Sequence, residues 1–227
     1  RERAGVARFE GHARLIDAHT IEISAGDLNP GAEPVTVRAR RIVIATGSHP
    51  VRPDIAGAEL AIVSDDVFHL AERPQRICIV GGGYIGVEFA GIFAGLGSQV
   101  DLIYRQPLPL RGFDDELREH LADLIPTYGI TIHPECSPRN IRRGEKGGYV
   151  VPLSDGTSIE TDCVFFATGR KPAIAKLGRE TTTIRVTDGR IVVDEQFETS
   201  EPGIYAIGDV TDTFNLTPTA IAEGHIL

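Results

Sequence analysis

The chain has 227 residues, 41% of them hydrophobic and 24% charged, and its 23 basic and 32 acidic side chains leave a net charge of −9. This is the composition of a folded globular chain of one or two domains, and it excludes disorder, collagen and coiled coil for the chain as a whole. An acidic chain without a long basic run is also a poor candidate for general nucleic-acid binding.

Residues 13–17 and 19–23 alternate apolar and polar and predict short antiparallel strands; a Gly/Pro/Asn loop at 26–34 and another alternating strand at 35–39 follow. Residues 41–45 predict a buried strand running into Thr46-Gly47-Ser48, and Pro50 and Pro53 mark a linker. Ser64-Asp65-Asp66 predicts a helix start, the helix ending before Pro74. Ile77-Cys78-Ile79-Val80 is a continuous apolar run, as expected of a parallel strand covered on both faces. After it, Gly81 to Gly86 form a turn, and a helix reaches about Leu96, with Gly97 as its stop.

Residues 77–97 hold one charge, Glu88, and seven glycines in 21 positions, which suits strand, turn and buried helix better than a membrane span. Gln99 to Tyr104 is the next strand, completing a βαβ unit of nucleotide-binding size. Beyond it, 114–124 predicts an amphipathic helix, 129–132 a strand, and 139–143, 148–153 and 158–166 a three-strand meander with turns at 144–147 and 154–156. A hairpin (183–186 and 190–193), a buried strand at 204–207 and a helix from Thr217-Pro218 close the chain. Two apolar strands end in Ala-Thr-Gly, at 45–47 and 167–169, and a third ends in Gly208-Asp209; these echoes suggest related nucleotide-domain edges.

Cys78, Cys136 and Cys163 form neither a CxxC nor a CxxxxC pair, so no dithiol centre and no metal pattern is read, and free thiols of a reducing cytoplasm are the expectation. The opening Arg1-Glu2-Arg3 carries no signal-peptide pattern, and methionine is absent throughout. Either the chain is trimmed, or it is an internal fragment of a longer protein, and the motifs favour the second.

The chemistry concentrates in Gly81-Gly82-Gly83-Tyr84-Ile85-Gly86, a GxGxxG in the confirming context of strand, turn and helix. Its glycines permit a tight turn, a close approach of backbone to pyrophosphate and close helix–strand packing, while the helix N-terminus offers amides to phosphate. An NAD site places an acid at the end of the second strand. Here that place holds Tyr104-Arg105, with Arg111 six residues on, and Asp101 comes too early. Two guanidiniums suit a 2′-phosphate, so the reading is NADPH.

Several segments together resemble a known family: Ile79 to Glu88, Tyr104-Arg105-Gln106 with Leu110-Arg111-Gly112-Phe113-Asp114, Ala167-Thr168-Gly169-Arg170, and Ile204 to Val210 with Leu216-Thr217-Pro218. They resemble the glutathione reductases of the flavin-dependent pyridine nucleotide–disulfide oxidoreductase family. The resemblance implies an α/β fold: a Rossmann-like NADPH domain (48–172) between FAD-domain pieces (1–47 and 173–227). It implies NADPH contacts from Gly81, Gly82, Gly83, Ile85, Gly86, Arg105, Arg111 and Gly169, and FAD contacts from Thr46, Gly47, Asp209 and Thr217. Tyr84 resembles a gate over the flavin, and Glu88 the partner of a lysine beside it.

By the same resemblance, electrons pass from NADPH to FAD to a redox disulfide and then to a small-molecule disulfide such as oxidised glutathione, in a cytoplasmic homodimer with no nucleic-acid or membrane partner. The FAD adenosine motif, the CxxxxC pair and a His-Glu pair would lie outside this sequence, so the chain alone would neither retain FAD nor turn over. His225 departs from the arginine often found there and weakens the glutathione assignment. A trypanothione-type or other low-molecular-weight disulfide reductase, and a non-catalytic NADPH-binding module, are the alternatives.

Overall fold

Continuous apolar runs build the central sheet. The computed structural model describes residues 5–26, 30–31, 33–145, 147–211 and 214–227. The opening Arg1-Glu2-Arg3, residues 27–29 and 32 of the loop at 26–34, and Lys146 of the turn at 144–147 lie outside the described residues. The chain divides into two units, Pro50–Arg170 and Arg1–His49 with Lys171–Leu227.

In the unit Pro50–Arg170, five parallel strands form one sheet. To number elements along the whole chain, the other unit's strands come first: β1 (His12–Asp17), β2 (Thr20–Ser24), β3 (Val35–Arg38) and β4 (Ile42–Ile44). The sheet strands are then β5 (Ile62–Val63), β6 (Arg76–Val80), β7 (Gln99–Ile103) and β8 (Ile130–His133), together with a fifth, Cys163–Phe166, which lies between β5 and β6. Alternation along β6 sorts the core. Ile77 and Ile79 face the helix Tyr84–Gly95 with Phe93, Leu102 and Phe165, whereas Cys78 and Val80 face the other layer with Val151, Leu153 and Phe166. Phe165 is fully buried and meets Phe89 edge-on at 5.2 Å.

The helices are α1 (Ser64–Val67), α2 (Tyr84–Gly95) and α3 (Asp115–Leu124). Gly97, at φ +87°, ends α2 in the left-handed conformation, and Ser98 N–H returns to the Phe93 carbonyl. Asp114 caps α3 by accepting the Leu117 N–H at 3.2 Å. The helix expected to run from Ser64 almost to Pro74 is a single turn. The bonds from His69 N–H to Asp66 and from Leu70 N–H to Val67 tighten and end it, turning Val67 and Leu70 onto the α2 layer.

The expected strand at 158–166 is two strands. The meander is β9 (Arg142–Arg143), β10 (Tyr149–Pro152) and β11 (Ser158–Thr161), and β12 (Cys163–Phe166) belongs to the parallel sheet. Asp162 makes the break. Its carboxylate accepts the Arg76 N–H at 2.9 Å and the Arg76 guanidinium at 2.7 Å, while its own N–H donates to the Arg76 carbonyl.

In the other unit, β1, β2 and β3 form an antiparallel meander, and β13 (Val186–Thr187) and β14 (Arg190–Ile191) a hairpin. The strand β15 (Ile204–Ala206) pairs parallel with β4, and α4 (Thr217–Ile226) follows. Leu15, Ile42, Ile44, Ile191 and Ile204 fill this unit's core. Among the described residues no helix is long and apolar enough to cross a membrane.

Two stability measurements follow from this packing. Phe165→Ala removes a fully buried ring and is expected to cost about 3–5 kcal/mol in urea unfolding. The Asp162 carboxyl is held below its usual range by the Arg76 hydrogen bond. A carboxyl lowered in the folded state stabilises above its unfolded pKa and loses that contribution on acidification. The pair is partly exposed, so Asp162→Asn is expected to cost no more than about 1 kcal/mol at pH 7. The difference from wild type should shrink as the pH falls through the usual carboxylate range, and close only once the lowered Asp162 carboxyl is itself protonated.

Candidate functional site

The turn after β6 is crowded by backbone. Gly81 has φ +129°, and a Cβ there would lie 2.2 Å from the Ala167 carbonyl oxygen. On Gly82 a Cβ would meet the Tyr104 Cβ at 2.8 Å, and on Gly86 the Gly81 carbonyl oxygen at 1.9 Å. Only hydrogen fits these places, so β6, β12 and α2 converge closely at the strand ends. Gly83 caps α2 with no side-chain bond among the described residues, and its carbonyl accepts the Val87 N–H at 3.0 Å. The amides of the first turn are therefore available at the helix's positive end.

The end of β7 delivers two different side chains. Tyr104 is buried beneath Gly82, and its hydroxyl has no partner among the described residues; burial pushes that phenol's pKa up. Arg105 is exposed. The chain then folds back, and the Leu110 N–H donates to the Gly82 carbonyl at 2.7 Å. This bond sets Arg111 one residue from the glycine turn. Arg105 and Arg111 are exposed and in no ion pair among the described residues. Asp101 is turned away into a 2.7 Å contact with His133 Nε2, so no acid stands at this strand end.

Tyr84 and Glu88 lie one turn apart on α2 and share an exposed face, Tyr84 being 46% accessible. No hydrogen bond or ion pair reaches Glu88 among the described residues. Ile85 is half-buried on the first turn of the same helix. Gly169, at φ +111°, follows β12, and its carbonyl accepts the Val51 N–H.

In the other unit, the parallel pairing of β4 and β15 brings Thr46 and Gly47 beside Gly208 and Asp209. Ser48 Oγ donates to Asp209 Oδ2 at 2.6 Å, and Thr46 Oγ1 to the Ala173 carbonyl at 2.9 Å. Thr217 is exposed in the first turn of α4, and His225 is exposed in its last. Sequence reasoning missed Glu223. Its buried carboxylate accepts the Gly208 N–H at 2.7 Å and fastens α4 to the turn bearing Asp209. A lone acid among the small apolar residues of Thr217–Ile226 was the available signal.

The cysteines take no part in either cluster. All three are buried, and burial raises each thiol, that of Cys163 to about 11.

Comparison with known proteins identifies the family. The family described as pyridine nucleotide-disulphide oxidoreductase matches residues 2–224. The chain belongs to that family. It is 49% identical over 98% of its length to the glutathione reductase of Burkholderia cepacia, covering 51% of that protein. To the trypanothione reductase of Leishmania donovani it is 40% identical, over 97% of this chain and 45% of that one. Among solved structures, the copper(II) complex of RclA, an HOCl-induced flavoprotein disulfide reductase from Escherichia coli, superposes with a TM-score of 0.86 at 30% identity, over 95% of this chain and 48% of that one. The chain thus spans about half the length of the curated relatives it matches. Its parallel sheet and mixed α/β architecture are those of the family.

The crowding at Gly81 yields a direct test. Gly81→Ala forces a left-handed φ and a backbone clash, and is expected to destabilise the unit by at least ~1–3 kcal/mol. Chemical denaturation followed by circular dichroism measures it.

Proposed function

We propose that this chain carries the NADPH-binding domain (48–172) and parts of the FAD-binding domain of an NADPH-dependent disulfide reductase of glutathione reductase type. The observation that carries the reading is the Leu110–Gly82 main-chain bond, which sets Arg111, in no ion pair among the described residues, beside the glycine turn, with Arg105 exposed at the end of β7. The residues fit the coenzyme: a turn whose Gly81, Gly82 and Gly86 admit no side chain, a helix N-terminus without a side-chain cap for pyrophosphate, and two guanidiniums in no ion pair among the described residues for a 2′-phosphate.

Bound at this turn, NADPH would supply hydride-transfer chemistry toward a flavin. The protein's part is placement. Gly81, Gly82, Gly83, Ile85 and Gly86 hold the pyrophosphate half of the coenzyme, and Gly169 borders it. Tyr84, exposed directly after the phosphate turn, screens the nicotinamide position, and Glu88 one turn on offers its carboxylate to a cation of the flavin-bearing part. Thr46, Gly47, Asp209 and Thr217 line the flavin side, with Ser48 fixing the Asp209 carboxylate. Retention of FAD needs more than these residues, because the sequence has a single GxGxxG.

A small-molecule disulfide, oxidised glutathione first, is the proposed substrate of the whole protein, acting as a cytoplasmic homodimer. Trypanothione-type substrates are the second reading, supported by the 40% identity to the Leishmania enzyme; His225 weakens the glutathione assignment without favouring another substrate.

The test is calorimetric titration of NADPH and NADH into the 227-residue chain and its Arg105→Ala variant. Loss of a charged hydrogen bond is expected to weaken NADPH roughly ten- to a hundredfold and leave NADH nearly unchanged. Equal losses for both coenzymes would remove the arginine clamp from the reading.

A further inference from the structure

Among the described residues, the segment between Arg105 and Phe113 has one main-chain bond of its own, from Phe113 N–H to the Leu110 carbonyl at 3.0 Å, and takes its other holds from outside. Pro107 and Pro109 have no N–H to donate. Leu110 sits at φ +52°, a conformation that a leucine keeps only when its surroundings impose it. Glu135 N–H reaches the Gln106 carbonyl at 3.2 Å, and Leu110 N–H reaches Gly82. Between these points, Arg118 of α3 supplies the hold. Its Nε donates to the Pro109 carbonyl at 2.8 Å and its Nη2 to the Leu108 carbonyl at 3.4 Å, while Nη1 meets Asp115 Oδ1 at 2.6 Å.

We infer that Arg118 is a positioning residue for coenzyme selection: it fixes residues 108–110 so that Arg105 and Arg111 flank a 2′-phosphate. The inference rests on the NADPH reading above. Three features separate it from an ordinary surface ion pair. The Arg118 side chain is only 16% exposed, although it lies on a helix whose charged neighbours face solvent. Two of its nitrogens address main-chain carbonyls, one of them on the buried Pro109, where an unpaired carbonyl would be costly. Its Nε and both terminal nitrogens are already engaged and Asp115 offsets its charge, so it acts through the loop and not on the ligand. A planar fork anchored to α3 suits this work, and the single ammonium of lysine does not.

The experiment compares wild type, Arg118→Ala, Arg118→Lys and Arg105→Ala in the 227-residue chain. NADPH and NADH affinities are read by calorimetry, and amide exchange at Leu110 and Phe113 is read without ligand. Arg118→Ala is expected to weaken NADPH about five- to thirtyfold, to leave NADH within about twofold, and to speed exchange at Leu110. Arg118→Lys keeps the charge and the Asp115 pair, and it is expected to recover less than half of the lost affinity. Full recovery by lysine would make Arg118 a remote charge and overturn the inference. So would equal losses of both coenzymes, or unchanged exchange at Leu110. If Arg105→Ala is selective against NADPH while Arg118→Ala is not, the clamp stands and the positioning role falls. If Arg105→Ala is unselective, the clamp falls and the role of Arg118 in selection falls with it, whereas altered exchange at Leu110 would still report the loop anchor.

Discussion

Backbone meeting backbone at the glycine turn is the constraint on which the rest depends. The carbonyls of Gly81 and Ala167 occupy the places where side chains on Gly86 and Gly81 would stand. This closeness joins β6, β12 and α2 at their ends, and it aims the first turn of α2 outward. It also leaves the Gly82 carbonyl free to receive the returning chain at Leu110. One tight turn therefore serves three purposes: it closes the sheet–helix contact, it presents amides, and it ties down the arginine-bearing loop.

Much of this was legible in the sequence because the local signals agreed with the tertiary structure. The apolar run Ile77–Val80, the glycine spacing and the stop at Gly97 each had one interpretation, and Asp114 capped the helix its composition announced. What was not legible depended on partners distant in sequence. The turn at Ser64–Val67 ends where it does because Val67 and Leu70 find the α2 layer. The strand at 158–166 breaks because Asp162 is claimed by Arg76, 86 residues earlier. Arg118 read as one more charge on an amphipathic helix, since nothing local reveals that two loop carbonyls lie under its guanidinium.

The two isolated helical glutamates show how the same sequence pattern meets opposite fates. Each stands among small and apolar residues, where a carboxylate is costly to bury without a partner. Glu223 goes inward, because a main-chain amide at Gly208 receives it. Glu88 stays at the surface beside Tyr84, with no partner among the described residues. The first is an internal fastener, and the second remains exposed on the helix surface.

The burial of the three cysteines carries a chemical consequence. Thiol–disulfide exchange proceeds through the thiolate and requires access to it. Cys78, Cys136 and Cys163 are enclosed in the hydrophobic clusters and their thiols are held toward the protonated form. In a protein whose proposed work is to move electrons through disulfides, these sulfurs are insulated from the traffic. Burial and the raised thiol pKa both disfavour attack by these sulfurs on a disulfide, so they are poor partners for mixed-disulfide formation.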